Sequence, residues 1–171
     1  MFRKITNIVI VFILSTVIQS CFTVKYSTTG ASLDPSLKTV SVQYFDNRAP
    51  IVQPGLSQRF TDDLKNYVES NTNLRLVNGV GDVNFEGTIT GYNVSPTAIV
   101  SGDRAAQNRF TITVKVKFTN SAQPDLDYDE SFSMYRDYNS TAAFESVKED
   151  LTNQILGDII EQIFNKAFVN W

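Results

Sequence analysis

The residues able to carry chemistry in this chain are few, and their spacing rules out more than it permits. Histidine is absent and cysteine occurs once, at Cys21. No Ser-His-Asp or Cys-His pair can therefore form, nor a zinc site of the usual Cys and His type, nor an internal disulfide. Asp62 and Asp63 adjoin on an expected helix and point about 100° apart, so they do not work as a carboxylate pair. Asp125, Asp127 and Asp129 have the spacing that opens a calcium loop. However, Glu130 stands where the glycine belongs and Arg136 where the bidentate glutamate belongs, which favours a solvated turn. Gly79-Val80-Gly81 lacks the third glycine of a dinucleotide fingerprint, because Asn84 holds that place and a strand follows. No catalytic and no metal site is therefore expected. What remains is binding chemistry: Lys115 and Lys117 on one face of a strand, with Arg104 and Arg109 at the adjoining loop, could receive the phosphates of an anionic ligand or form an ordinary solvated face.

Composition agrees. The 171 residues are 42% apolar, 12% aromatic and 19% charged, the profile of a single folded domain that needs no staple. Net charge is −3, from 15 basic and 18 acidic side chains with no run of five like charges, so no nucleic-acid partner is expected.

The lone cysteine gains meaning from its position. Arg3 and Lys4 precede an apolar run from Ile8 to Ile18, too short to span a bilayer, and the run ends at Gln19-Ser20-Cys21. This resembles a bacterial lipobox, with small Ser20 before the cysteine and Gln19 departing from the usual small residue. Residues 1–20 are then a cleaved lipoprotein signal peptide. Cys21 becomes the acylated first residue, 21–37 a lipidated tether rich in Ser, Thr, Gly and Pro, and 38–171 one domain. Two or more acyl chains give stable anchoring, the chain's one covalent addition beside an expected absence of cofactors.

The domain alternates in period two at Lys38–Phe45, Val83–Val94, Phe110–Phe118 and Tyr128–Tyr138, with a short strand expected at Leu74–Val77. Gly87 and Gly91 inside the second run suggest a bulge or a close approach to another backbone. Leu56, Phe60, Leu64, Tyr67 and Val68 share one face of a first helix. Asn139-Ser140-Thr141 offers N-cap chemistry for a second helix of roughly 28 residues from Phe144. The expected fold is α+β, two helices on one face of a mainly antiparallel four-stranded sheet with a possible short extra strand. Phe164, Phe168, Val169 and Trp171 crowd the chain's end, either as a surface for a partner protein or as a plug over one end of the core.

Five stretches in order carry a family likeness: TGASLDPSLKTVSVQYFDNRAP (29–50), LSQRFTDDL (56–64), NLRLVNGVGDVNFEGTITGYNVSP (73–96), NRFTITVKVKFTN (108–120) and IFNKAFVNW (163–171). Together with the lipobox they resemble the lipopolysaccharide-assembly lipoprotein family LptE, Bacteroidetes-type. The resemblance implies a non-catalytic outer-membrane lipoprotein of Gram-negative cells, facing the periplasm and a barrel lumen. Its partners would be the LptD β-barrel, which it plugs and helps assemble, and lipopolysaccharide, whose transport it assists. It implies lipopolysaccharide contacts near Ser101–Arg109, where Arg104 and Arg109 match by position only. The alternative is a lipoprotein auxiliary or ligand-binding module of another envelope transport system.

Overall fold

The computed structural model describes residues 33–97 and 107–169. Cys21, Arg104 and Trp171 lie outside the described residues. The strands are β1 (Thr39–Val42), β2 (Asp46–Asn47), β3 (Arg75–Leu76), β4 (Val83–Pro96), β5 (Gln107–Asn120) and β6 (Tyr128–Asn139). Two helices, α1 (Leu56–Asn71) and α2 (Phe144–Phe168), complete the fold, with a 3-10 turn at Pro124–Leu126.

The fold is α+β, as the periodicities require. One sheet runs in the order β3-β1-β4-β5-β6, with β2 also pairing β4. The long strands β4, β5 and β6 pair antiparallel, while β1 lies parallel to β3 and β4, and β2 parallel to β4. The short strand expected at Leu74–Val77 is present as β3, and a sixth strand, β2, joins the sheet unforeseen because its two residues are too few to show a period.

Residue alternation decides which face is buried. Val83, Phe85 and Ile89 on β4 meet Asn120, Phe118 and Val114 on β5, with Gly87 opposite Val116. A register shift between Ile89 and Gly91 inserts one residue, so the inward set continues at Tyr92 and Val94. That bulge settles which of Thr88 and Ile89 points inward: Ile89 is fully buried.

Gly87 is required by a close approach. A Cβ there would collide with the Lys115 carbonyl and the Phe45 ring. From Val42 to Asp46 the chain takes four steps against three on β4, from Phe85 to Thr88, and Phe45 turns fully inward over the glycine.

Both helices cover this inward face. From α1, Leu56, Phe60, Leu64 and Val68 are buried; from α2, Leu151, Ile155, Leu156, Ile159, Ile160, Ile163 and Phe164 join the same core. Fully burying each large apolar side chain contributes roughly 1.5–3 kcal/mol. Phe45 meets Phe60 edge to face at 5.0 Å, and Phe85 meets Phe118 at 4.9 Å.

Two expectations are corrected here. Phe164 and Phe168, 1% and 4% exposed, do not form a surface for a partner. Phe168 lies 5.9 Å from both Phe85 and Phe118, Phe164 lies 5.2 Å from Tyr67, and the pair closes one end of the core. The side chain of Asn139 does not cap α2 either. It accepts hydrogen bonds from the Thr141 N–H and hydroxyl in a tight turn, and the helix starts after Ala143 with no side-chain cap.

Candidate functional site

The other face of the sheet is left bare by both helices, and its outward set is polar. Along β5 it carries Arg109, Thr111, Thr113, Lys115 and Lys117; along β6, Asp129, Ser131, Ser133, Tyr135 and Asp137. Antiparallel pairing brings side chains of directly opposed residues within about 5 Å, so charge on one strand meets whatever its neighbour presents.

Every expected cation of this face within the described residues meets an acid. Arg109 donates Nε and Nη2 to the two oxygens of Asp137, at 2.8 and 2.9 Å, a bidentate pair with the guanidinium 3.7 Å from the centre of the Tyr135 ring. The hydrogen bond from Arg109 holds the Asp137 carboxyl below its ordinary range, and the same bond raises the Arg109 guanidinium. Lys117 donates to Glu86 across β4–β5 at 2.7 Å, and this bond raises the lysine pKa. Lys115 stands 3.2 Å from Asp129.

The four basic residues do not gather as one cluster. Arg109 and Lys115 are six residues apart on a strand, roughly 20 Å. Arg109 stands by the loop of the β4–β5 hairpin. Lys115 and Lys117 flank a groove of about 350 Å³ that also involves Glu86, Thr88 and Asp129. Between the two lies a neutral stretch in which the Thr113 and Ser133 hydroxyls share a hydrogen bond of 2.9 Å. The acids Glu86 and Asp137 are not singled out by the sequence, and Asp129 stands out there only in the calcium-like spacing read as a solvated turn. The signal was strand register: the β5–β6 pairing sets Asp137 opposite Arg109 and Asp129 opposite Lys117, and the β4–β5 pairing sets Glu86 opposite Lys117, where the bulge in β4 hides it.

The remaining motifs are turns. Asp127 accepts the Asn120 N–H at 2.7 Å, and Asp125 sits in the 3-10 turn. No group of three metal-ligating side chains occurs among the described residues. Gly79 has φ 103° in the turn before β4, where the Asn84 side-chain oxygen accepts the Gly81 N–H. Asp82 accepts the backbone N–H groups of Lys38 and Thr39 and the Thr39 hydroxyl, each at 2.8 Å; the Lys38 N–H first, then those of Thr39, lower its pKa. Asp82 thereby ties the start of β1 to the start of β4. No described helix is long and apolar enough to cross a membrane.

A sheet backed on one side by two helices and bare and polar on the other defines a two-layer α+β module. Solved structures share this fold. They include a minor lipoprotein from Acinetobacter baumannii, with TM-score 0.50 and 15% identity over 76% of this chain and 91% of that one. A hypothetical protein from Chlamydia trachomatis matches with TM-score 0.54 and 9% identity over 79% and 100%. A protein from Xanthomonas campestris matches with TM-score 0.52 and 10% identity over 81% and 90%. At such identities these likenesses speak to the fold alone. No curated protein matches the chain in sequence. The profile of LptE, described as lipopolysaccharide-assembly, matches residues 37–167, and the chain belongs to the LptE lipopolysaccharide-assembly family.

Proposed function

We propose that this protein is a non-catalytic outer-membrane lipoprotein that sits within an LptD-type β-barrel, promotes that barrel's assembly and assists lipopolysaccharide transport to the cell surface. The observation that carries the reading is the family match over residues 37–167, nearly the whole domain. The lipobox supports the anchor: signal residues 1–20 are removed and acylated Cys21 holds the chain through the tether at 21–37.

The bare sheet face is the contact surface in this reading. Its 12- and 14-residue strands extend roughly 45 Å, and its side chains are hydroxyls and paired charges suited to a wet lumen. Lipopolysaccharide phosphates would be met by Arg109 at one end and by Lys115 and Lys117 at the other, and Arg104, outside the described residues, would be a further phosphate contact. They act as separate contacts, and each phosphate displaces Asp137, Asp129 or Glu86 from its cation.

The test is purification of the C-terminally tagged protein from outer membranes in mild detergent, with a salt wash. One stoichiometric, heat-modifiable β-barrel should remain bound. Recovery of the lipoprotein alone, with barrels intact elsewhere in the gradient, would favour a free ligand-binding or auxiliary role.

A further inference from the structure

The two edges of the sheet differ. On one side the sheet ends in β3, two residues long, and on the other in β6, a strand of 12 residues. β6 pairs with β5 from Tyr128 to Asn139 without a register shift, and it holds no proline, lysine or bulge to deter a further strand. The direction of its backbone groups follows from the neighbouring hairpin. The Thr97 N–H donates to the Gln107 carbonyl, so odd-numbered residues of β5 turn their backbone groups toward β4 and even-numbered ones toward β6. The β5–β6 register then commits the even-numbered residues of β6 to β5. It leaves the N–H and C=O groups of Asp129, Ser131, Ser133, Tyr135 and Asp137 on the open edge. Among the described residues none of these edge groups has a backbone partner. One side chain reaches them: Arg136 donates Nη1 to the Tyr135 carbonyl at 3.0 Å, while its Nε and Nη2 hold Gln154 and Asp158 of α2.

The sequence of this strand is close to a palindrome about Ser133. Counting outward, Phe132 is matched by Met134, Ser131 by Tyr135, Glu130 by Arg136, Asp129 by Asp137 and Tyr128 by Tyr138. A two-fold axis through Ser133 would set each of these residues opposite its match in a second copy, because strands related by such an axis run antiparallel. Phe132 then faces Met134, and Glu130 faces Arg136 in a non-hydrogen-bonded pair, where side chains come closest. On the helix side this joins two existing ion pairs into one row of alternating charge: Lys166 and Glu130, then Arg136 and Asp158 of the second copy. Asp129 and Asp137 meet as like charges, each countered within its own copy by Lys115 or Arg109. Sliding the pairing by two residues sets Glu130 against Met134 or Tyr138, and Arg136 against Tyr128 or Phe132. Charge therefore selects the register centred on Ser133.

We propose that the open edge of β6 pairs antiparallel with the β6 edge of a second copy of this chain, centred on Ser133, so that one sheet runs through both subunits. The Ser131 N–H of one copy donates to the Tyr135 carbonyl of the other. Arg136, released from that carbonyl, turns Nη1 to Glu130 of the second copy. The same side chain thus covers the edge in the free chain and binds across it in the pair. The inference goes beyond the barrel reading and does not rest on it, since it concerns the backbone edge of β6 and needs no barrel.

The experiment uses the full mature lipoprotein, overproduced without a barrel and purified in mild detergent, with the unaltered chain as the blank because its only cysteine is Cys21. Under a copper–phenanthroline oxidant, Ser133→Cys should give a disulfide-linked dimer, since hydrogen-bonded antiparallel residues have Cα atoms about 5.5 Å apart, within disulfide reach. Ser131→Cys, offset from its own copy by about 13 Å along the strand, should give several-fold less. In the Ser133→Cys background, Glu130→Arg should lower the dimer yield several-fold, and adding Arg136→Glu should restore it by setting opposite charges face to face again. The double variant breaks both ion pairs within the chain, so a purely structural role for these residues predicts a further loss instead. No dimer from Ser133→Cys, equal yields from Ser131→Cys and Ser133→Cys, or no recovery in the double variant would overturn the proposal.

Discussion

The two faces of this sheet are built by different physics from the same strands. The helix-covered face is specified by volume: Phe85, Phe118, Val114 and Ile112 are fully buried, and each position admits one size of side chain. The bare face is specified by pairing: Arg109 with Asp137, Lys117 with Glu86 and Lys115 with Asp129, all in contact with solvent. Stability therefore resides on one face, while the other is free to vary toward a partner. A module that must both persist as a fold and lie against other molecules separates the two demands in this way.

The contrast can be broken most severely from the core side. Phe118→Ala removes a ring that touches Phe85, Tyr128 and Phe168, and should destabilise the protein by about 3–5 kcal/mol in urea unfolding. Gly87→Val should cost about 1–3 kcal/mol or more in the same assay, because its new side chain meets the Lys115 backbone and the Phe45 ring. A loss within the scatter of surface substitutions at either position would mean the two faces are not energetically distinct.

Acid sharpens the comparison at the sheet's end. Asp82 has a folded pKa below its unfolded one, because the Lys38 and Thr39 donors favour the carboxylate. Its contribution is fully present above the ordinary carboxylate pKa and is lost as pH falls through the depressed folded value. Asp82→Asn should therefore flatten the acid limb of the stability profile; an unchanged limb would assign acid sensitivity to other carboxylates. The smallest effect belongs to the bare face. Lys115→Ala and Lys117→Ala should each move the unfolding midpoint by less than about 3 °C, because exposed pairs contribute little.

The core face was legible from the sequence and the bare face was not. Strict alternation from Phe110 to Phe118 and the four-residue spacing of Leu56, Phe60 and Leu64 predict both the elements and their buried sides, because burial imposes a period on sequence. Strand β3 falls within the short strand expected at Leu74–Val77, whereas the two-residue β2 is too short to impose a period. The pairing of each cation with an acid depends on strand register: one inserted residue between Ile89 and Gly91 displaces it for Lys117 and Glu86, while the partners of Arg109 and Lys115 are set by the β5–β6 register. Phe164 and Phe168 exceed one helical stripe, and only the position of β4 and β5 beneath them shows that the core absorbs both.

The most direct measurement places a photo-crosslinker at Thr113 or Tyr135 on the bare face and, for comparison, at Glu161 on the exposed side of α2, in otherwise native cells. Adducts of barrel size from Thr113 and Tyr135, in higher yield than from Glu161, are the expected result. Adducts from Glu161 with none from the sheet positions would contradict the assignment of the bare face as the surface this lipoprotein turns toward its barrel.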